Sequence, residues 1–185
     1  MIAIQGASAA SANVRAVTES MLDDAFAHHV WASIRLLDAC AGLTPEQLET
    51  SVPGTYGSIL ETARHLVGSD AFYLFRITGD ESYVIDEDHM NVPELRDAIA
   101  GHATVWPKLL REHADPDAIL VVRFDDGSET HVATGVRIAQ VLHHGTDHRS
   151  QIATALTTLG IDPPGIDVWA YAEETDRMVD VPPSS

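Results

Sequence analysis

Residues 134–159 read TGVRIAQVLHHGTDHRSQIATALTTL, and this stretch decides the fold. Ile138, Val141, Leu142, Ile152, Leu156 and Leu159 recur along it at helical spacing, and Gly160 followed by Pro163-Pro164 ends the pattern. The spacing predicts one long helix whose stripe runs through Val141, Gly145, His148 and Ile152. Such a stripe has to be buried against other elements, so the rest of the chain is read for partners.

Three further helical segments supply them. The first runs from about Thr18 to Ala41, with Met21, Leu22, Ala25, Phe26, Val30, Ser33, Leu36, Leu37 and Cys40 three or four apart and Gly42 as a stop. Thr44-Pro45-Glu46-Gln47 then carries the signature of a short capped helix. The second main helix opens at Ser58, with Glu61 completing a capping box, and continues through Ile59, Ala63, Leu66, Val67 and Leu74 to the break at Thr78-Gly79-Asp80. Asp80 to His89 reads as an acidic loop. The third starts near Pro93 and carries Leu95, Ile99, Val105, Leu109 and Leu110; Pro107 inside it predicts a kink or a helix in two pieces. Ala118–Phe124 and Thr130–Ala133, joined through Asp125-Asp126-Gly127, predict a β-hairpin. The expectation is an all-α fold, a four-helix bundle with a short β-hairpin between helices 3 and 4. Residues 1–17 read as a flexible arm, 18–178 as the bundle, and 179–185 as a disordered tail, with Trp169 and Tyr171 packing near the end.

Twenty-eight acidic residues against eleven basic ones give a net charge of −17. That surface repels phosphate backbones and anionic lipid, which argues against nucleic-acid and membrane partners. No apolar run approaches the ~20 residues of a membrane span. The start of the chain has no basic residue ahead of an apolar stretch, so it does not read as a secretory signal. A lone cysteine, Cys40, excludes an intrachain disulfide and fits a reducing cytoplasm; its place on an apolar stripe reads as core packing.

Ten histidines invite a search for ligands. Residues four apart on a helix lie about 6 Å apart along its axis and ~40° apart around it, so His144 and His148 can share one ion. His143 with Asp147 is the alternative pair, on the less apolar side. A zinc protease would place a glutamate after the first histidine, where this chain has Gly145, so a peptidase is disfavoured. A third ligand has to come from another helix. His65, at the edge of the apolar face of the second helix, is preferred, with His28 and His29 as runners-up. His89, His102, His113 and His131 read as solvated. Taken alone, His65 reads as a core histidine, and an i,i+4 histidine pair also occurs on exposed faces; together they point to a metal.

The pieces His144-Gly145-Thr146-Asp147-His148-Arg149-Ser150-Gln151, Ser58 to Leu66, His29-Val30-Trp31-Ala32 and Asp167 to Tyr171 resemble the DinB/YfiT-like family of bacterial metal-binding bundles, from about Met21 to Asp176. The resemblance implies metal ligands at His65, His144 and His148, a site open to solvent, and frequent homodimers. It also implies S-transferases that conjugate a low-molecular-weight thiol to an electrophile; a related maleylpyruvate isomerase carries a glutamate ligand, where this chain has three histidines.

Three neutral imidazoles around Zn²⁺ or Ni²⁺, with Fe²⁺ or Mn²⁺ also compatible, leave a coordination position open. A thiol entering it loses its proton readily and attacks an electrophilic carbon. The leading expectation is therefore a metal-dependent thiol S-transferase. The alternatives are a binding protein that senses or stores a metal or small ligand, and a structural ion. Arg149 reads as a binder of an acidic substrate group or as a surface ion pair, and Glu61 as a capping residue or an acceptor behind His65.

Overall fold

The computed structural model describes residues 20–124 and 126–181. The expected arm, the predicted helix start at Thr18, Asp125 of the turn and residues 182–185 lie outside the described residues.

The first helix, α1 (Asp23–Cys40), begins later than its apolar spacing suggests. The Ser20 hydroxyl accepts from the Leu22 N–H and the Asp23 carboxylate from the Ser20 N–H, local bonds that compete with helical pairing. Met21 is consequently left exposed. The short α2 (Pro45–Leu48) has its capping box between Thr44 and Gln47. The long α3 (Ile59–Thr78) starts the same way: the Ser58 hydroxyl accepts from the Glu61 N–H at 3.2 Å and the Glu61 carboxylate from the Ser58 N–H at 2.8 Å. Gly79 ends α3 in the left-handed region at φ 73°, where a side chain would be strained.

The acidic stretch after it holds two single-turn 3₁₀ segments, Glu81–Tyr83 and Glu87–His89. The third predicted helix is in two pieces, α4 (Val92–His102) and α5 (Val105–Glu112). The break falls at Ala103-Thr104 rather than at Pro107. Pro107 sits in the first turn of α5, where its missing N–H costs no helical bond.

Strands β1 (Ile119–Arg123) and β2 (Glu129–Ala133) pair antiparallel, with Ile119 opposite Ala133 and Arg123 opposite Glu129. The chain passes directly from β2 into α6 (Thr134–Thr158). A last helix, α7 (Val168–Glu174), was not expected as a helix. Asp167 caps it by accepting from the Trp169 and Ala170 N–H groups, a start signal visible in the sequence. Tyr171 is buried edge-on to Trp31 and His28, while Trp169 is 70% exposed.

The described residues are thus mostly helical, with one small two-stranded sheet. Two apolar clusters fill the space between α1, α3, α4, α5 and α6. One joins Leu36, Leu37 and Cys40 to Leu66, Leu95, Ile99 and Leu156. The other joins Phe26 and Val30 to Leu74, Trp106, Leu109 and Val141, with the Phe26 and Trp106 rings 4.6 Å apart. Cys40 is a core residue; burial pushes its thiol up to about 12, which leaves it unreactive at neutral pH. Among the described residues no helix is long and apolar enough to cross a membrane.

The capping box of α3 gives a direct test. Ser58→Ala should cost about 1 kcal/mol and lower Tm by roughly 2–4 °C, whereas Glu61→Gln, which can still complete the box, should be close to neutral in thermal denaturation.

Candidate metal centre

The long helix α6 carries His144 and His148 one turn apart, and α3 packs against it with His65 facing both. His144 Nε2 lies 3.2 Å from His65 Nε2 and 3.2 Å from His148 Nε2. One ligand atom from each of the three residues falls within 4.8 Å of the others.

The orientation of His148 is set from behind. Gln151 Oε1 accepts from the Tyr56 N–H at 2.9 Å, which marks that oxygen as an acceptor, so His148 Nδ1–H donates to it at 3.0 Å. His148 therefore presents Nε2 as a lone pair toward the other two imidazoles, the arrangement that ligating histidines use. Tyr56 also stacks on His65 with the rings 4.0 Å apart and 6° from parallel. Tyr73, two turns after His65 on α3, meets His144 edge-on at 6.0 Å.

Protonation of His144 and His65 is disfavoured. Burial, then His148, then His65 push His144 down to about 4. His65 is lowered by burial and by His148, with Glu87 pulling the other way. Neutral imidazoles with converging lone pairs repel unless a proton or a cation sits among them. The donor set, three nitrogens of borderline softness in mutual reach, fits a divalent transition metal such as Zn²⁺ or Ni²⁺.

Beside His65 opens a cavity of about 530 Å³ lined by Tyr56, Glu61, Arg64, His65, Glu87 and Asp88. Glu87 enters it from the acidic stretch that sequence reading treated only as a loop. Its carboxyl group rests on Gly68, where an added Cβ would come within 2.5 Å of it, so a side chain at position 68 would displace it.

The remaining histidines divide differently. His143 is exposed and lines an apolar cleft with Leu142 and Ile138. His28 bonds the Ile166 carbonyl at 2.8 Å, which seats the approach to α7. His89 and His131 are exposed beside Asp86 and Glu129.

The model of the DinB family matches residues 17–179 of this chain. The chain belongs to the DinB family. Its fold is similar to that in a crystal structure of a DinB-like protein from Bacillus cereus ATCC 10987, with a TM-score of 0.55 and 16% identity, covering 75% of this chain and 90% of that one. No curated protein matches the sequence.

This DinB-family chain holds a second polar constellation that sequence reading did not find. Asp70, on the buried stripe of α3 between Leu66 and Leu74, accepts from His29 Nε2 of α1 at 2.9 Å, from His102 Nδ1 of α4 at 2.5 Å and from Trp106 Nε1 of α5 at 3.3 Å. His102, expected to be solvated, is instead buried against this carboxylate. His29, a runner-up for the metal, is likewise committed. Burial alone would raise the Asp70 pKa, but the hydrogen bonds from His102 and His29 overcome it and hold the carboxyl well below its ordinary range.

Arg149 completes the chain of contacts. It is buried rather than on the surface; it donates to His29 Nδ1 at 2.9 Å and to Ser33 Oγ and Thr146 Oγ1. Its bond to Nδ1 fixes His29 as the Nε2–H tautomer that Asp70 requires. Burial lowers Arg149 to about 10, with Asp70 opposing, so it stays charged at neutral pH. Arg149 lines a cleft with His28, Asp24 and Asp167, separate from the cavity beside His65. Gly145 makes the approach possible: a Cβ there would stand 2.4 Å from His29 Cε1 and 2.6 Å from Nδ1.

Gly145→Ala should therefore destabilise the protein by about 1–3 kcal/mol in chemical denaturation, as a buried ring is forced off its site. Asp70→Asn should cost about 3 kcal/mol or more at neutral pH, because it removes a buried charge partner and turns an amide N–H toward existing donors. A carboxyl whose folded pKa lies below its unfolded one stabilises fully above the unfolded value of about 4 and progressively less as pH falls below it. The stability gap between wild type and Asp70→Asn should accordingly narrow below about pH 4, measured by urea denaturation of the metal-free proteins.

Proposed function

We propose that His65, His144 and His148 hold one divalent ion, Zn²⁺ or Ni²⁺ foremost, and that the protein is an S-transferase that activates a low-molecular-weight thiol for attack on an electrophile. The packed helices α1, α3, α4–α5 and α6 act in this reading as the four members of a bundle that carries the site. The observation that supports it is the convergence of three Nε2 atoms on one point beside an open cavity. A closed structural site would surround the ion with four protein ligands, and the described residues bring three together.

When bound, the dication would supply Lewis acidity that lowers the pKa of an incoming thiol. The protein's own groups do the rest. Gln151 fixes the tautomer of His148, Tyr56 covers one face of His65, and Tyr73 abuts His144. The carboxylates of Glu61, Glu87 and Asp88 line the cavity and keep it wet, so the thiol proton leaves to solvent. The thiolate sulfur then forms a bond to the electrophilic carbon as the bond from that carbon to its leaving group breaks, and the leaving group departs with the electron pair. Arg149 serves by holding His29, through which it supports α6 from behind.

The purified protein should bind about one equivalent of Zn²⁺ or Co²⁺ per chain. His65→Ala, His144→Ala and His148→Ala should each abolish tight binding, while His143→Ala retains it. Occupancy should hold at about pH 6.5, where an unperturbed imidazole is half protonated, and fall as pH drops toward about 4, where His144 takes up a proton that competes for the same nitrogen. A small thiol added to the Co²⁺ protein should produce intense near-ultraviolet absorption and release a proton, and the metal-free protein should do neither. A metal-binding protein whose Co²⁺ spectrum no thiol perturbs would be a metal or small-ligand binding protein and not a transferase.

A further inference from the structure

In a chain of net charge −17, nearly every arginine should find a carboxylate. Arg35 pairs with Glu174, Arg96 with Asp38, Arg123 with Glu129 and Arg177 with Asp24. Arg64 donates to the Met90 carbonyl, and Arg149 belongs to the Asp70 network. Arg76 on α3 and Arg137 on α6 do neither. Among the described residues neither has a hydrogen-bond or ion-pair partner, and the Nε of each is buried with no acceptor. Arg35 Nε is buried without an acceptor too, but that guanidinium still pairs with Glu174. Arg76 and Arg137 have no carboxylate among the described residues, and a buried donor left unpaired calls for a reason.

Arg76 is held in place by its surroundings. The Arg76 guanidinium lies over the rings of Phe72, Phe75 and Phe124 at 4.8, 5.6 and 5.9 Å. Those faces attract the cation but offer no in-plane acceptor to its N–H groups. Arg137 is close enough to Arg76 for burial and then that like charge to hold its pKa below the ordinary arginine value, with Tyr73 opposing. Arg76 follows His65 by eleven residues and Arg137 precedes His148 by eleven, about three full turns on each helix. Two cations without a carboxylate thus stand at the same level of facing helices, an arrangement suited to an oxyanion.

The place is on the same seam as the histidines. His65 meets His148 and His144, and Tyr73, further along α3, meets His144, so α3 and α6 run antiparallel along it. Arg137 precedes His144 by seven residues, almost two full turns, which puts it about 10 Å along α6 and on nearly the same face. Tyr73 bridges the interval.

We propose that Arg76 and Arg137, with Tyr73 beside them, form an oxyanion subsite that takes the carboxylate or phosphate end of a ligand whose other end reaches His65, His144 and His148. The placement of that ligand rests on the metal-dependent reading above; the anion subsite itself does not. It assigns the thiol or its electrophilic partner to the acidic metabolite class and explains why a strongly acidic protein keeps two arginines unpaired.

The test uses the full chain, first without metal. Inorganic phosphate and succinate are titrated separately by calorimetry, which distinguishes the two oxyanions. At least one should bind to wild type, and Arg76→Gln and Arg137→Gln should each weaken it by about tenfold or more. Lys108→Gln, which removes a surface charge paired with Glu112, should leave binding unchanged. Arg137→Gln should melt no lower than wild type in anion-free buffer, because it removes a partly buried charge near a like one, so its lost binding will not reflect unfolding. Arg76→Gln also gives up the contacts with Phe72, Phe75 and Phe124 and is read beside it. In the Zn²⁺ protein, mercaptosuccinate should then bind about tenfold tighter than 2-mercaptoethanol, and Arg137→Gln should remove that preference. Absence of binding by both anions, equal binding in the arginine variants, or equal weakening by Lys108→Gln overturns the subsite. Equal affinity for the two thiols overturns the placement of its ligand. Arginine-dependent anion binding in a protein whose Co²⁺ spectrum ignores thiols would retain the subsite and reject the transferase.

Discussion

Asp70 places one carboxylate in the middle of the helices with no access to water. A charge so buried costs several kcal/mol unless donors from the protein replace its hydration. The donors come from three other elements: His29 from α1, His102 from α4 and Trp106 from α5. Each helix must therefore stand where its donor reaches α3. The apolar clusters on either side can tolerate small shifts, as hydrophobic contact has no direction, but hydrogen bonds to an ion have short reach and strict angles. The constraint passes on to α6 through His29, whose other nitrogen accepts from Arg149 and whose ring occupies the space that Gly145 leaves open. The spacing of α6 from α3, on which the His65/His144/His148 group depends, is thus set from the far side of the molecule.

Histidine serves two purposes in this fold, and the difference lies in what each ring faces. His29 and His102 face a carboxylate, donate to it and lock helices together. His65, His144 and His148 face one another, with Gln151 turning His148 so that its free lone pair points inward. The first arrangement is complete as it stands. The second gathers three donors of electron density with nothing negative or acidic among them, which is why a cation suits it.

Charge is distributed to match. The surface as a whole is strongly acidic, and the cavity beside His65 continues that character through Glu61, Glu87 and Asp88. Along the same α3–α6 seam, the Arg76 and Arg137 pair breaks it. On the proposed subsite, a small acidic ligand repelled by most of the surface would be drawn to this pair, so local cationic charge on an acidic protein would select for position as much as for affinity.

Features carried by neighbours in sequence are legible in the sequence alone. The capping boxes at Thr44 and Ser58, the extent of α6, the hairpin before it and the pairing of His144 with His148 all follow from residues within a few positions of one another, where helix and turn geometry is nearly invariant. His65 is preferred for its place at the edge of the apolar face of α3, the family resemblance implies the same residue, and the structure brings it to the other two. What spacing cannot show is which polar residues on apolar stripes will meet. Asp70, His102 and Trp106 each look ambiguous alone, because a charge between Leu66 and Leu74 is tolerable only if partners distant in sequence arrive. Arg149 likewise reads as a surface or substrate-facing cation from its neighbours in sequence, yet packing against α1 buries it. Local rules determined the helices and one histidine pair. Tertiary packing decided which histidines face a carboxylate and which face each other, since the cost of burying a polar group is set by its partners and not by its own position in the chain.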